Sequence, residues 1–344
     1  MDPSNEHDPA LVTEERPEVS PSVAGVGGPI RPAAGASLRG SGSIGDRIFL
    51  GASAGSGFIV VLLIALVGAF LLAQAIPALL NDNASFLTSR TWEPGGDNPQ
   101  FGIVDLLWTT VLSSAFAMIL AVPVAVGVAL FLTFYSPPKL SSGFAQLVDL
   151  LAAVPSIVYG LWGVLVLAPH LRGVQGFLTG KLGWFPLFKS GVSGGTVFVG
   201  GIVLAIMILP IVTAISREVF ARTPTPHIEG AMALGATRWE VVRTAVLPFG
   251  RAGVISGSML GLGRALGETI AIALILSAPA PGAPFNSSLF AGGETFASKI
   301  ANNAAEFDSP QQTGAYIAAG LVLFLLTFLV NAIARVIVER KGPR

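Results

Sequence analysis

The chain has 344 residues, 52% of them hydrophobic and 12% charged, with a formal net charge of +0 and no cysteine. An ordinary soluble domain is about 25% charged, so this composition indicates a polytopic membrane protein. The neutral balance offers no bulk attraction to nucleic acid, and the absence of cysteine excludes disulfides, thiolate catalysis and thiolate metal centres. The histidines, His7, His170 and His227, are far apart in sequence and no HExxH occurs, so no metal site is expected.

Residues 1–47 are rich in Pro, Gly, Ser and Ala, carry Glu14, Glu15 and Glu18, and lack apolar periodicity. They read as a disordered cytoplasmic tail. The first apolar run starts only after them, too late for the core of a secretory signal, and so reads as a retained membrane anchor. Residues 48–344 form the membrane domain. A spanning helix needs about 20 largely apolar residues, and six stretches qualify, near 54–77, 104–134, 144–168, 196–216, 253–277 and 314–338. Pro123 is expected to bend the second. Pro155 interrupts the third, which neighbouring helices can tolerate. Six spans put both termini on one side. The N-terminal tail, the 135–143 loop, the 217–252 loop and the C-terminus hold 14 of the 20 Lys and Arg residues. The opposite loops, near 78–103, 169–195 and 278–313, hold Arg90, Arg172, Lys181, Lys189 and Lys299. The positive-inside rule then places both termini and the 217–252 loop in the cytoplasm of a plasma-membrane protein.

The 217–252 loop is heavily punctuated. Thr225 is placed to cap a short helix that begins at Pro226 and runs to Leu234, with Gly235 as its left-handed terminus. Thr237 and Glu240 are spaced as a capping box for a second helix, which Pro248 is expected to stop. So much specified local structure suits a rigid docking knob better than a passive linker; a solvated connection is the bland alternative.

Within this loop Glu229-Gly230-Ala231, then Gly235, then Leu247-Pro248 resemble the EAA motif of ABC importer permeases. In that family the short helix inserts into a cleft on the ATPase subunit. Gly230 and Ala245 depart from the usual pattern, and a helical glycine costs about 0.5–1 kcal/mol relative to alanine. The segments AAVPSIVYGLWGVLVLAP at 152–169 and MLGLGRALGETIAIALIL at 259–276 are similar to the PstC-type permease subunit of phosphate importers, over about residues 100–340. The resemblance implies an all-α, type I ABC importer permease fold with six transmembrane helices. It implies a PstA-type companion permease, an ATPase dimer that binds ATP and Mg, and an external phosphate-binding protein. The chain itself binds no cofactor on this reading and is not an enzyme. Consistently, it has no phosphate loop: Gly180-Lys181 is followed by Leu182.

Arg264 and Glu268 are the only charges in the fifth stretch, 253–277. A charge at bilayer depth costs about 2.5–3.5 kcal/mol on insertion scales and normally faces a cavity, a partner or a pathway. On one continuous helical wheel, Gly253, Gly257, Gly261, Arg264 and Glu268 share a face. Three readings compete. The glycines form a packing seam and the charges an internal pair; or Arg264 binds a carboxylate on a companion subunit; or Arg264 contacts a passing anion along a pathway lined by Gly257 and Gly261. The family resemblance favours the third, with Glu268 as the counter-ion between transport events. Another oxyanion such as molybdate or sulfate, or a membrane scaffold, is the alternative function. A membrane-embedded enzyme lacks any nucleophile–base or metal constellation. Asp105 and Asp149 read as interfacial carboxylates, and Trp108, Trp162 and Trp184 as interface anchors or packing residues.

Overall fold

The computed structural model describes residues 44–189, 195–280 and 282–341. Contacts divide the chain into two units, 1–59 and 60–344. The described part of the first, 44–59, is helical and mostly exposed. Of the expected tail, 1–43 lies outside the described residues, and 44–47 already belong to a helix.

That helix, α1 (Ile44–Leu80), continues into the second unit. It is apolar all round, as suits a span that faces lipid, and of its side chains Ala75 and Ala78 are buried. Residues 81–103 carry a short antiparallel hairpin, β1 (Trp92–Glu93) and β2 (Gln100–Phe101). Next come α2 (Val104–Leu130), which continues through a π-helical turn at Phe131–Tyr135, and α3 (Pro138–Ala153).

The third span departs from expectation. Val154 is extended (φ −65°, ψ 130°), because the ring of Pro155 disfavours helical backbone in the residue before it. The chain restarts as α4 (Ser156–Trp162), passes through a π-helical turn at Gly163–Leu167 and continues as α5 (Ala168–Leu182). The span is therefore Ser156–Leu182 rather than 144–168, and α3 is a separate helix. His170, Arg172 and Lys181, expected in a loop, are helical. The π-turn lies just ahead of Pro169, where the missing N–H and the ring would clash with a regular α ladder.

α6 (Val197–Ala221) is the most buried span and the centre of the unit. On one side it meets α2, whose Ala117, Ala121, Ala125 and Ala129 are fully buried. Spacing of four keeps these small side chains on neighbouring turns, so the two backbones approach closely. The loop after α6 holds α7 (Thr225–Ala233) and α8 (Arg238–Val241). There follow α9 (Leu247–Leu266), α10 (Ile270–Ile275), α11 (Phe296–Asn302) and α12 (Pro310–Lys341). Among the described residues, six helices are long and apolar enough to cross a membrane.

Candidate functional site

The 217–252 loop, an elbow that carries α7 and α8 between α6 and α9, forms largely as its punctuation dictates. α7 ends in a Schellman arrangement: Gly235 N–H donates to Met232 O and Ala236 N–H to Ala231 O, with Gly235 at φ +84°. The Thr237–Glu240 capping box is present; Thr237 N–H donates to Glu240 Oε2 at 2.7 Å and Glu240 N–H to Thr237 Oγ1 at 3.4 Å. Two expectations need correction. Pro224, not Thr225, is the N-cap of α7, and Thr225 is already helical with no capping bond from its side chain. Nor does Pro248 stop the second helix. A π-helical turn at Val242–Val246 joins α8 to α9, with Pro248 in the first turn of α9, where a missing N–H is tolerated. The helix thus runs unbroken from Arg238 to Leu266.

Glu229 and Gly230 are exposed and Ala231 half-buried. Met232, Leu234 and Trp239 present large apolar surfaces, with Leu234 91% exposed. Leu247 points inward instead. It packs on the cluster of Ala129, Leu130, Phe220, Val242 and Val246, and so ties the elbow to the ends of α2 and α6.

The glycines of α9 form a packing seam. A Cβ on Gly253 would lie 2.3 Å from Val219 Cγ2, one on Gly257 3.0 Å from Ile215 Cγ2, and one on Gly261 3.0 Å from Val212 Cγ2. All three partners are on α6. Gly257 and Gly261 therefore face α6 in this conformation, and the expectation that they line a solute pathway is corrected.

The charged pair is also rearranged, because the fifth span is not continuous. α9 ends at Leu266, Gly267 caps it, and α10 begins at Ile270. Arg264 is exposed in the last turn of α9, whereas Glu268 is 9% exposed within the break. Glu268 Oε1 accepts the N–H of Ala271 at 3.2 Å, so its carboxylate serves one of the unpaired donors at the start of α10. Among the described residues no ion pair joins Arg264 to Glu268, so the break undoes the shared face, and neither the internal pair of the first reading nor the Glu268 counter-ion contact of the favoured one is formed in this structure. The Tyr159 hydroxyl donates to Leu151 O at 2.9 Å across the Pro155 break.

What seats α10 is a second glycine seam, in the YGLWG run. A Cβ on Gly160 would lie 2.9 Å from Ala271 Cα, and one on Gly163 2.9 Å from Ile275 Cδ1. Tyr159, Val203, Ala271 and Ile275 share one buried cluster. Glycines of this kind are legible in a sequence as close-approach positions; their partner is not. The break thus leaves Arg264 on a surface while α10 is locked in place.

With that geometry in hand, comparison with known proteins is decisive. The model of the binding-protein-dependent transport system inner membrane component family matches residues 121–342. The chain belongs to this family. The phosphate transport system permease protein PstC 2 of Mycobacterium tuberculosis is 56% identical over 303 residues, covering 86% of this chain and 93% of that protein. The PstC of Mycobacterium leprae is 60% identical, over 78% and 85%, and that of Mesorhizobium japonicum 38% identical, over 87% and 91%. Among solved structures, the inward-facing MetNI methionine ABC transporter aligns at a TM-score of 0.51 with 15% identity, covering 70% of this chain and 96% of that one. The fold is that of a type I ABC importer permease, and the chain is a multi-pass inner-membrane transport subunit of this family.

Proposed function

We propose that this chain is the phosphate-translocating permease subunit of an ATP-driven importer. The observation that carries the proposal is the interrupted fifth span: it leaves the Arg264 guanidinium exposed, without an ion pair among the described residues, where a solute or companion subunit would meet it. Interrupted helices near the bilayer midplane mark transport sites in other membrane proteins. A guanidinium stays charged when partly desolvated, and its fixed fork fits tetrahedral oxyanions. Phosphate rather than another oxyanion rests on the relatives named phosphate transport system permease.

The remaining parts follow from that reading. The termini and the elbow lie in the cytoplasm. A PstA-type subunit completes the pathway, and a phosphate-binding protein docks on the opposite face. A separate ATPase dimer, holding ATP and Mg, grips α7 through Glu229, Gly230 and the exposed Met232 and Leu234. Because Arg238–Leu266 is one helix, closure of the ATPases moves Arg264 directly. The test is the ATPase activity and uptake of the reconstituted complex with phosphate-loaded against sulfate-loaded binding protein. Stimulation by the phosphate-loaded form alone is expected; equal stimulation by both would overturn phosphate selectivity.

A further inference from the structure

The end of α6 opposite the elbow carries a cavity of about 1080 Å³. α6 has 25 residues, so about 37 Å separates the two ends. The cavity wall holds three bases, Arg90, Lys189 and Lys299, and three acids, Glu93, Asp105 and Glu294. Charge is balanced, but not every donor of the bases is used. Arg90 donates through Nε to Asp105 Oδ1 at 2.8 Å, and through Nη2 to Asp105 Oδ2 at 2.9 Å and Ala283 O at 3.1 Å. Its Nη1, with two N–H groups, has no acceptor among the described residues. Lys299 spends one of its three donors on Glu294, at 2.9 Å. Both cations rest on aromatic faces, Arg90 at 5.3 Å from the Phe285 centroid and Lys299 at 6.0 Å from that of Trp92. Trp108 packs edge-on against Phe285 and steadies that shelf.

The two ion pairs differ in burial. Lys299 and Glu294 are 15% and 14% exposed, whereas Arg90 and Asp105 are 35% and 33% exposed. The more open pair is the easier to exchange, since water and salt reach it. The ligand of Arg90 is a carboxylate fork, and a tetrahedral oxyanion presents the same two-oxygen edge. Displacing Asp105 would leave Arg90 still oriented by Ala283 O and Phe285.

We propose that this cavity is an entry site for an inorganic oxyanion, with Arg90 as its principal ligand and Asp105 as the displaceable counter-ion. The inference rests on the oxyanion-importer reading, but it assigns a site separate from Arg264. The carboxylate occupies the fork between arrivals, so the site does not attract stray anions strongly. An arriving oxyanion with two negative charges outcompetes the single charge of Asp105.

The test is binding of radiolabelled inorganic phosphate to the complete complex in nanodiscs, without binding protein, in an Arg264→Gln background. The Asp105→Asn variant should bind about tenfold more tightly, because a charge-assisted competitor is gone. Arg90→Gln should bind at least tenfold more weakly, and Arg90→Lys, which keeps the charge and loses the fork, should lie between them. A gain of affinity cannot arise from misfolding, so Asp105→Asn guards the test. Unchanged binding in both Asp105→Asn and Arg90→Gln would overturn the entry site while leaving the phosphate reading intact. An Arg90-dependent site that takes sulfate in preference to phosphate would support the site and sink phosphate selectivity instead.

Discussion

The two ends of the helix that begins at Arg238 follow different rules. At the elbow, geometry is set by neighbours in sequence. Gly235 supplies the left-handed residue, and Thr237 and Glu240 satisfy each other's backbone donors. At the break, geometry is set by partners far away in sequence. α9 ends at Gly267, but the position of α10 depends on contacts with Gly160 of α4 and with Gly163 beside it. An importer permease thus stores its two kinds of information differently. On the proposed function, the docking end must be rigid without its partner, and it carries its own caps. The proposed pathway end must be aimed relative to the rest of the bundle, and packing specifies it.

The largest expected effect tests the break. Arg264→Gln should reduce phosphate uptake about ten- to a hundredfold at matched membrane expression, the loss expected from one charge-assisted hydrogen bond. Near-normal uptake would remove Arg264 from the pathway and reduce the break to a structural irregularity. Gly160→Val probes what aims α10. Its Cβ would press on the Ala271 backbone, which cannot yield as a flexible side chain does. Overpacking of this kind costs about 1–3 kcal/mol. A lower melting temperature of the purified complex is expected, together with lost uptake.

Much of this architecture is legible in the sequence, for uneven reasons. The number of spans, the Gly235 turn and the Thr237–Glu240 box follow from composition and local hydrogen bonding and are present among the described residues, whereas the bounds of the third and fifth spans are not those the composition suggests. Two prolines mislead in opposite directions. Pro155 reads as a tolerated interruption, yet it divides α3 from α4. Pro248 reads as a stop, yet the π-turn before it carries the helix through. A proline fixes its own φ and removes one donor, but whether the helix ends depends on what absorbs the clash. A helical wheel misplaces the charged pair because it assumes continuity, and nothing local in Gly267-Glu268-Thr269 distinguishes a break from a weak turn. Only α4 packing against α10 decides it.

Gly257→Leu should sharpen the seam assignment. The added side chain would meet Ile215, and about 1–3 kcal/mol of stability should be lost. If the glycine lined an open pathway instead, stability would be untouched and only uptake would fall. Melting temperature and uptake measured on the same preparation separate the two.

The smallest effects compare the caps at the two ends directly. Thr237→Ala removes the elbow cap and Glu268→Ala removes the acceptor for Ala271 N–H; each should cost about 0.5–2 kcal/mol of stability. Their consequences for transport should diverge. On the proposed docking, the ATPase also holds the helix start that Thr237 orders, so Thr237→Ala should lower phosphate-stimulated ATPase activity only modestly, and excess ATPase subunit should restore it. Glu268 orders a helix start that no cytoplasmic partner reaches, so excess ATPase should restore nothing. Glu268→Gln keeps an acceptor oxygen without the charge, and should return stability to near the parent value. If Glu268→Gln is as unstable as Glu268→Ala, the carboxylate holds the break through its charge rather than through the hydrogen bond to Ala271. The break would then be electrostatically maintained, and its contrast with the capped elbow would lie in the charge of the cap as well as in the source of its packing.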